Sequence, residues 1–238
     1  TAEGTFELDA SIMEGKDLSA GAVAGLKHVK HPINAAYAVK TKSPHVMLSG
    51  AGAEEFAKEQ GLEMVEDNMY FATPKTMEWI EKLKQESKKN GTVGCVVLDK
   101  QGNLTAGTST GGMFKKRWGR IGDSPVIGAG TYADNNSCAV SCTGHGEYFI
   151  RHAVAFDVCA RYKYLKESVE KAADYIIHTE LNTNAGNGGL IAVDKLGNIA
   201  MPYNSGGMFR GFLYKEKGSP EIKKGCGIGK KIVVVGEK

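Results

Sequence analysis

Hydrophobic and polar positions change their spacing along this chain of 238 residues. Near residue 170, apolar side chains recur at the i, i+3, i+4, i+7 and i+8 positions, which predicts a helix with one buried face. The members of this stripe are Val169, Ala172, Ala173, Ile176 and Ile177. Val93 to Leu98 is instead a short run of small and β-branched residues, which predicts a strand. The chain therefore belongs to the α+β class.

Before residue 91 the pattern predicts mostly helices. Pro32 suits the first turn of a helix that must end near Ser43, because Pro44 disfavours helical backbone in the residue before it. A second helix is predicted over Ala53–Gln60, with Gly61 as its stop. The residues that mark a third helix are Thr73 as its cap, Pro74 in its first turn, and Met77, Ile80 and Leu83 on one face.

Two later stretches share a hairpin pattern. Strand 93–98 leads through a turn at 99–103 into a strand over 104–108, and strand 190–193 leads through a turn at 194–198 into 199–201. The segments that come next, at the same offset, are Thr110-Gly111-Gly112-Met113 and Ser205-Gly206-Gly207-Met208. A helix over Glu147–Tyr162 and the stripe helix lie between them. The sequence predicts two similar hairpins and not a solenoid.

Composition narrows the choice of partners. The hydrophobic content of 42% allows a real core, and the net charge of +3 is too small to argue for nucleic acid or an anionic membrane surface. No apolar stretch approaches the ~20 residues that cross a bilayer, and no signal peptide opens the chain. We therefore expect a cytoplasmic protein that acts on a small molecule.

The five cysteines are odd in number and irregular in spacing. Cys138 and Cys142 are expected on one strand, where four residues span ~13 Å, whereas a disulfide needs Cα atoms within ~7 Å. Those two cannot pair, and free thiols in a reducing compartment are expected. The six histidines show no metal-ligand spacing, so no metal site is predicted.

The Gly91-Thr92 pair at the start of the first hairpin is the most informative local feature. A threonine hydroxyl becomes a nucleophile when its own α-amine serves as the base, which requires a cut between Gly91 and Thr92. Glycine suits a strained bond at that position. From Gly-Thr alone, Thr92 is more often simply the first residue of a strand, so the segments around it must decide.

Four segments, Asn90–Asp99, Thr108–Met113, Gly119–Pro125 and Ser141–Glu147, together with Leu8-Asp9-Ala10 and Ser43–Met47, carry a resemblance over nearly the whole chain. They resemble the plant-type asparaginase/isoaspartyl aminopeptidase family of N-terminal-nucleophile hydrolases. The resemblance implies a four-layer αββα sandwich. It also implies an α-subunit portion over 1–91 and a β-subunit portion over 92–238, which together form one domain.

The resemblance also assigns roles to residues. Thr92 would be the nucleophile, Thr110 would hold its hydroxyl or amine, and Thr143 would help to form the oxyanion hole. Gly144 and Gly146 would supply backbone contacts to the substrate, where hydroxyl and amide donors stabilise a developing oxyanion. Phosphate-binding glycine motifs are absent from this segment. A plain strand-to-helix turn is the alternative for 143–146.

Arg120 and Asp123 would recognise the substrate. The planar guanidinium fits a carboxylate bidentately, and an aspartate accepts from an ammonium, so together they would bind the free α-carboxylate and α-amine of an aspartyl group. The alternative is a local ion pair between close neighbours, which stabilises by only ~0–1 kcal/mol when it is exposed.

The activity implied is self-cleavage at Gly91-Thr92, followed by hydrolysis of the L-asparagine side-chain amide and of β-aspartyl dipeptides through a Thr92 acyl-enzyme. The alternatives are a glycosylasparaginase, which cleaves the sugar-asparagine amide with the same machinery, and a non-catalytic remnant of the fold. No cofactor is implied for catalysis, and the family assembles as dimers of cleaved α/β units.

Three family features are not found in this sequence. Family members begin with a His-Gly-Gly strand, a structural sodium-binding loop and an asparagine that donates to the oxyanion, whereas this chain starts just before Leu8-Asp9-Ala10. We therefore expect the sequence to be an incomplete or spliced part of a longer protein. If it is the whole protein, its sheet would lack a strand and its oxyanion hole a donor.

Overall fold

Three β-sheets organise the chain. The computed structural model describes residues 1–74, 90–215, 222–227 and 233–236. A five-stranded sheet runs in the order β3-β2-β1-β5-β4 and a four-stranded sheet in the order β6-β7-β8-β9. Their strands are β1 (Leu8–Glu14), β2 (Ala20–Leu26), β3 (Met47–Ser49), β4 (Asn90–Leu98), β5 (Leu104–Met113), β6 (Thr131–Ala133), β7 (Cys138–Gly144), β8 (Gly188–Asp194) and β9 (Ile199–Ala200). A small third sheet contains β10 (Arg210–Lys215), β11 (Ile222–Gly227) and β12 (Val233–Gly236).

The helices of the described residues are α1 (Pro32–Lys42), α2 (Gly50–Glu59), α3 (Gly146–Arg151), α4 (Val154–Leu165), α5 (Val169–Tyr175) and α6 (Leu181–Thr183). A π-helical turn over Ile176–Glu180 joins α5 to α6, and a 3₁₀ turn covers Asn68–Phe71. None of these helices is long and apolar enough to cross a membrane.

The helices predicted in the first half are confirmed where the structure describes them. Helix α1 begins at Pro32 and is capped at Ser43, and α2 ends beside Gly61, whose φ is +70°. The predicted third helix lies beyond Pro74, outside the described residues. The expectation of a mostly helical first half is wrong, because β1 and β2 precede α1. Strand β2 consists of small residues that are almost all buried, so it shows no alternation of polar and apolar positions.

The single helix predicted over Glu147–Tyr162 is also wrong, since the structure breaks it into α3 and α4. Ala153 lies at the break with φ of +47°. The amides of Ala155 and Phe156 donate to the carbonyls of Ala129 and Gly128, at 3.1 and 2.8 Å. Tertiary hydrogen bonds thus replace the intrahelical bonds of the break. The stripe helix is confirmed, although its last part is the π-helical turn.

Both hairpins are confirmed, and their turns are built alike. Asp99 Oδ1 accepts the amides of Gln101 and Asn103, at 2.8 and 2.7 Å, and Asp194 Oδ1 accepts those of Leu196 and Asn198, at 2.8 and 2.9 Å. In each turn the asparagine side chain returns a bond to the other carboxylate oxygen. The second strands differ, because β5 continues to Met113 whereas β9 ends at Ala200.

The two larger sheets face each other through β4, β5 and β7. One apolar cluster fills the space between them at one end, formed by residues that include Met13, Leu104 and Ala139. Helices α1 and α2 pack on β1 and β2, and α4 and α5 pack on the sheet that contains β7 and β8. The structure is therefore a mixed α/β fold with helices against both large sheets.

Candidate active site

Thr92 and Thr110 lie opposite each other in the register of β4 and β5. The Thr92 hydroxyl donates to Thr110 Oγ1 at 3.3 Å, and the Thr110 hydroxyl donates to the carbonyl oxygen of Gly91 at 2.8 Å. The amide of Gly112 donates to Thr110 Oγ1 at 2.9 Å. Two donors therefore approach the Thr110 oxygen, and its own proton is directed at the carbonyl of the bond before Thr92.

Gly91 does not show the backbone geometry expected of it. Its φ is not among the positive values of the described residues, and a Cβ added there would meet no atom within 4 Å. The local irregularity is in the pairing instead. The register shifts between Asn90 and Thr92, so that Asn90 faces Met113 while Thr92 faces Thr110. The backbone conformation at position 91 therefore does not require a glycine.

Thr143 lies at the same end of the sheet pair as the other two threonines. It follows Ser141 by two positions on β7, and the Ser141 hydroxyl is 2.6 Å from that of Thr108. A Cβ on Gly94 would overlap the Ser141 hydroxyl. Gly94 and Thr108 are each two positions from Thr92 and Thr110, so the contact of β7 with β4 and β5 lies two positions along each strand from the three predicted threonines.

Beneath that layer is a buried cluster of hydroxyls. Ser11 donates to Thr131 Oγ1 at 2.8 Å, and Thr131 donates to Thr108 Oγ1 at 2.6 Å. Ser11, Thr108, Thr131 and Ser141 are all at most 3% exposed. Because each hydroxyl is hydrogen-bonded, the cluster joins the two sheets without an unpaired polar group.

The predicted glycines lie where close contacts require them. Gly144 has φ of +151°, and a Cβ on it would overlap the carbonyl oxygen of Asn187. A Cβ on Gly146 would come within 2.8 Å of both Arg120 Nη2 and Asp123 Oδ1. Gly146 is thus directly beside the predicted recognition pair, and any larger residue would displace it.

Arg120 binds Glu147, a residue to which the sequence pattern assigned no role. Its Nε and Nη2 donate to Glu147 Oε1 and Oε2, both at 2.9 Å. These bonds, with the positive charge of Arg120, hold the pKa of the half-exposed Glu147 below its usual range. His145 Nε2 lies 3.2 Å from Glu147 Oε2. The guanidinium therefore has the bidentate geometry expected for a carboxylate, with Glu147 as that carboxylate.

Asp123 is buried with one carboxylate oxygen unpartnered among the described residues. It is 5% exposed, and its Oδ2 has no hydrogen-bond partner among the described residues. Burial raises the pKa of Asp123 to about 6, and the nearby Arg120 only partly opposes that rise. A buried carboxylate oxygen without a donor is unfavourable unless a ligand supplies one.

Asp9 and Lys116 form a second buried charged group beside Thr110. Asp9 faces Thr110 across β1 and β5, and its Oδ1 accepts the amide of Gly25 at 2.8 Å. Lys116 Nζ donates to the Glu7 carbonyl at 3.1 Å and lies 3.8 Å from Asp9 Oδ2. Burial raises the pKa of Asp9, and the Lys116 charge opposes that rise.

The sequence signal for these missed residues was weak. Glu147 was quoted within a motif but assigned no role, and Lys116 resembles any exposed lysine in a basic segment. Its burial, at 5% exposure, results from the path of the loop after β5 and not from its neighbours in sequence.

A cavity of about 460 Å³ lies elsewhere, lined by Asp174, His178, Met201, Pro202, Tyr203, Asn204, Ser205 and Arg210. It includes none of the predicted site residues. Among the residues that the structure describes, no group of three or more histidine, cysteine or carboxylate side chains could hold a metal ion.

Comparisons with known proteins place this chain among its relatives. A family model described as "Asparaginase" matches residues 1–222. The chain is 48% identical over 228 residues to the isoaspartyl peptidase of Salmonella typhimurium, covering 90% of this chain and 72% of that protein. It is 44% identical over 241 residues to the isoaspartyl peptidase of Escherichia coli, covering 92% and 75%. It is 43% identical over 243 residues to the probable isoaspartyl peptidase/L-asparaginase 2 of Arabidopsis thaliana, covering 89% and 74%.

Proposed function

Because the chain belongs to the asparaginase family, we propose that it is a threonine amidohydrolase that hydrolyses L-asparagine and β-aspartyl dipeptides. Relatives at 48% and 43% identity carry the names isoaspartyl peptidase and isoaspartyl peptidase/L-asparaginase. The observation that carries the proposal is the hydrogen-bonded path from the Thr92 hydroxyl through Thr110 to the Gly91 carbonyl.

Self-cleavage is the first reaction that this geometry supports. Thr92 Oγ1 attacks the Gly91 carbonyl carbon and passes its proton to Thr110 Oγ1, while the Thr110 hydroxyl passes its own proton to the carbonyl oxygen. The Thr110 hydroxyl already donates to the oxygen on which negative charge develops, so it acts as a preorganised oxyanion donor. The proton on that oxygen then moves to the Thr92 nitrogen, the C–N bond breaks to give an ester on Thr92 Oγ1, and water hydrolyses the ester. The products are portion 1–91 and portion 92–238 with a free amine on Thr92.

Substrate hydrolysis uses the same hydroxyl. The free Thr92 amine is the base, so the chemistry needs no metal ion and no organic cofactor. Thr92 Oγ1 attacks the side-chain carbonyl of the aspartyl group, with Thr143 as an oxyanion donor and Gly144 and Gly146 as backbone contacts. Ammonia or an amino acid leaves, and water releases aspartate from the acyl-enzyme.

Recognition depends on Arg120 and Asp123. The substrate α-carboxylate replaces Glu147 as the partner of the Arg120 guanidinium, because both are carboxylates that bind a guanidinium bidentately. The substrate ammonium donates to Asp123 Oδ2, which has no donor of its own among the described residues. Only an aspartyl group with both α-groups free satisfies both side chains.

The layered fold, the assembly and the location of the protein are also part of this proposal. Contacts between the two large sheets, and helices packed on each of them, support a four-layer αββα sandwich. We further propose that portions 1–91 and 92–238 form one domain, that two cleaved units form a homodimer, and that the enzyme works in the cytoplasm on small molecules.

A denaturing mass measurement tests self-cleavage. We expect incubated protein to yield a fragment that begins at Thr92, while Thr92→Ala stays intact. Thr92→Ser is the matched control, because it keeps a hydroxyl nucleophile and should be cut, more slowly. Chains of wild type and Thr92→Ala that both stay intact would show that Thr92 is only a strand residue.

A chromatographic assay tests the substrate class. β-Aspartyl-leucine and L-asparagine should be cleaved, whereas α-linked aspartyl-leucine and N-acetylated β-aspartyl-leucine should not, since each lacks one free α-group. Arg120→Ala should lower kcat/KM by about 10- to 100-fold, the loss of a charged hydrogen bond, while self-cleavage continues. Equal turnover of α- and β-linked peptides would defeat this recognition, and a strong preference for glycosylated asparagine would identify a glycosylasparaginase.

A further inference from the structure

Two buried thiols meet on the side of the four-stranded sheet that α4 covers. Cys138 begins β7 and Cys159 lies on α4, and their exposures are 0% and 2%. Their Sγ atoms are 2.7 Å apart, although 21 positions separate them in sequence. All five cysteines are free thiols in this structure. A disulfide bond length is ~2.05 Å, so a small shift would bring the sulfurs to bonding distance.

The surroundings hold this pair in place. The Ser137 hydroxyl donates to the Cys159 carbonyl at 2.7 Å, and Cys159 Sγ donates to the Cys138 carbonyl at 3.2 Å. Both backbones are therefore tied together at the point where the sulfurs face each other. Strand β7 and helix α4 also pack against each other through the apolar cluster that contains both cysteines.

A space large enough for a small oxidant lies beside Cys159. Cys159 lines a cavity of about 30 Å³, together with Tyr132, Asp134, Phe156, Ala160, Lys163 and Tyr164. A cavity holds one water molecule when about 10–15 Å³ is open to the centre of a water-sized sphere, and hydrogen peroxide is little larger. The Lys163 ammonium and the Asp134 carboxylate, 2.9 Å apart, make that lining polar.

We propose that Cys138 and Cys159 are a disulfide-forming pair that hydrogen peroxide oxidises to a bond between β7 and α4. The Cys159 thiolate attacks one peroxide oxygen, the O–O bond breaks, and Cys159 becomes a sulfenic acid with release of hydroxide. The Cys138 thiol then attacks the Cys159 sulfur, the S–O bond breaks, and water leaves. Two thiols and one peroxide give one disulfide and two waters.

The reaction is slow and its product is structural. Burial raises the pKa of the Cys159 thiol well above its ordinary value, which keeps the thiolate scarce. Once formed, the bond restricts the unfolded chain through the loop that it closes. Thr143 stands five positions along β7 from Cys138, about 16 Å away, so the bond leaves the proposed active site untouched. This inference does not depend on the proposed function.

Peroxide treatment followed by denaturing alkylation and mass measurement tests the pair. We expect wild type to lose two hydrogens and to alkylate three of its five cysteines, with a non-reduced peptide that joins Cys138 to Cys159. Thermal unfolding should move up by about 5–10 °C, and a reductant should reverse the shift. Cys159→Ala should abolish the linked peptide and the shift.

Cys142→Ala is the matched control, because Cys142 is buried on the same strand as Cys138. It should still form the linked peptide. Five alkylated cysteines in treated wild type would overturn the proposal, as would a linked peptide that joins Cys138 to any other cysteine. An unchanged unfolding temperature in fully linked protein would overturn the structural role.

Discussion

The two hairpins of this chain are built around the same turn, but their second strands end differently. When the two hairpins are aligned so that Asp99 matches Asp194, Thr110 matches Ser205 and Thr92 matches Asn187. In the first hairpin, β5 stays paired with β4 through Thr110. In the second, β9 ends before Pro202, which has no amide proton to donate, although its carbonyl still accepts from Leu190 at 3.1 Å.

Beyond β9, Asn204 ties the second hairpin to the segment that precedes β8. Asn204 Oδ1 accepts the amide of Gly188 at 2.8 Å, and its Nδ2 donates to Ile177, Asn182 and Gly186 at 3.1, 2.7 and 3.0 Å. Beside the first hairpin, the buried Oδ2 atoms of Asp9 and Asp123 have no hydrogen-bond partner among the described residues. The same supersecondary unit thus serves once as a scaffold, around Asn204, and once as the proposed site, around Thr92 and Thr110.

The largest expected difference is in the rate of self-cleavage, between Thr110→Ala and Ser205→Ala. Thr110→Ala removes the donor to the Gly91 carbonyl, so self-cleavage should slow by about 10²–10³-fold. Within the described ranges, the Ser205 hydroxyl bonds only the nearby Gly207 carbonyl, at 3.2 Å, and its replacement should leave the rate within twofold. The rate of appearance of the Thr92 fragment by mass spectrometry measures both. Equal slowing in the two variants would mean that general destabilisation is responsible.

The buried carboxylate of Asp123, whose Oδ2 has no hydrogen-bond partner among the described residues, should reduce stability at neutral pH. Its folded pKa of about 6 lies above the ordinary 3.8, so the folded state binds the proton more tightly. The stability from this group is fully present below pH 4 and is lost as pH rises through 6. Asp123→Asn should therefore raise the free energy of unfolding at pH 7 by about 2–3 kcal/mol, with little change at pH 4. Denaturant titrations at both values measure this.

Asp123→Asn should also bind the substrate more weakly, because a neutral amide attracts the substrate ammonium less than a carboxylate does. In wild type, kcat/KM for β-aspartyl-leucine should rise with pH through about 6, as Asp123 ionises. Asp17→Asn is the control, since Asp17 is exposed and its pKa is lowered by hydrogen bonds from Ser19. A stability gain in that control, or none in Asp123→Asn, would contradict the interpretation of Asp123.

For Asn204, in the second hairpin, we expect a loss of stability without a loss of self-cleavage. Asn204→Ala leaves the Gly188 amide and several carbonyls without their partner and should lower the free energy of unfolding by about 2–3 kcal/mol. Ser109→Ala, at the matching position, removes one 3.5 Å contact and should stay within ~0.5 kcal/mol. Self-cleavage should persist in both folded variants. Loss of cutting in folded Asn204→Ala would assign the second hairpin to the site.

Sequence reasoning reached most of the elements but not all of their contacts. Turn chemistry and apolar spacing were sufficient for the hairpins and for α1 and α2, because both signals are local. Strand β2 was missed since both of its faces are buried, and the α3–α4 break because carbonyls far along the chain stabilise it. The pairing of Arg120 with Glu147 likewise joins residues that sequence spacing does not bring together. The grouping of the three threonines at one sheet end was foreseen only through the family resemblance.

The smallest expected effect is at Gly91, whose counterpart in the second hairpin is Gly186. A Cβ on Gly91 would meet no atom within 4 Å, and its φ is not positive, so Gly91→Ala should change stability by less than ~0.5 kcal/mol. A Cβ on the buried Gly186 would come within 3.1 Å of Tyr148 Cγ and 3.2 Å of Leu181 Cδ2, so Gly186→Ala should destabilise by about 1–3 kcal/mol. Thermal unfolding compares the two. Gly91→Ala should also still be cut before Thr92, because the hydrogen bond that orients this carbonyl comes from Thr110. A folded but uncut Gly91→Ala chain would show that cleavage needs a backbone conformation that this structure does not contain.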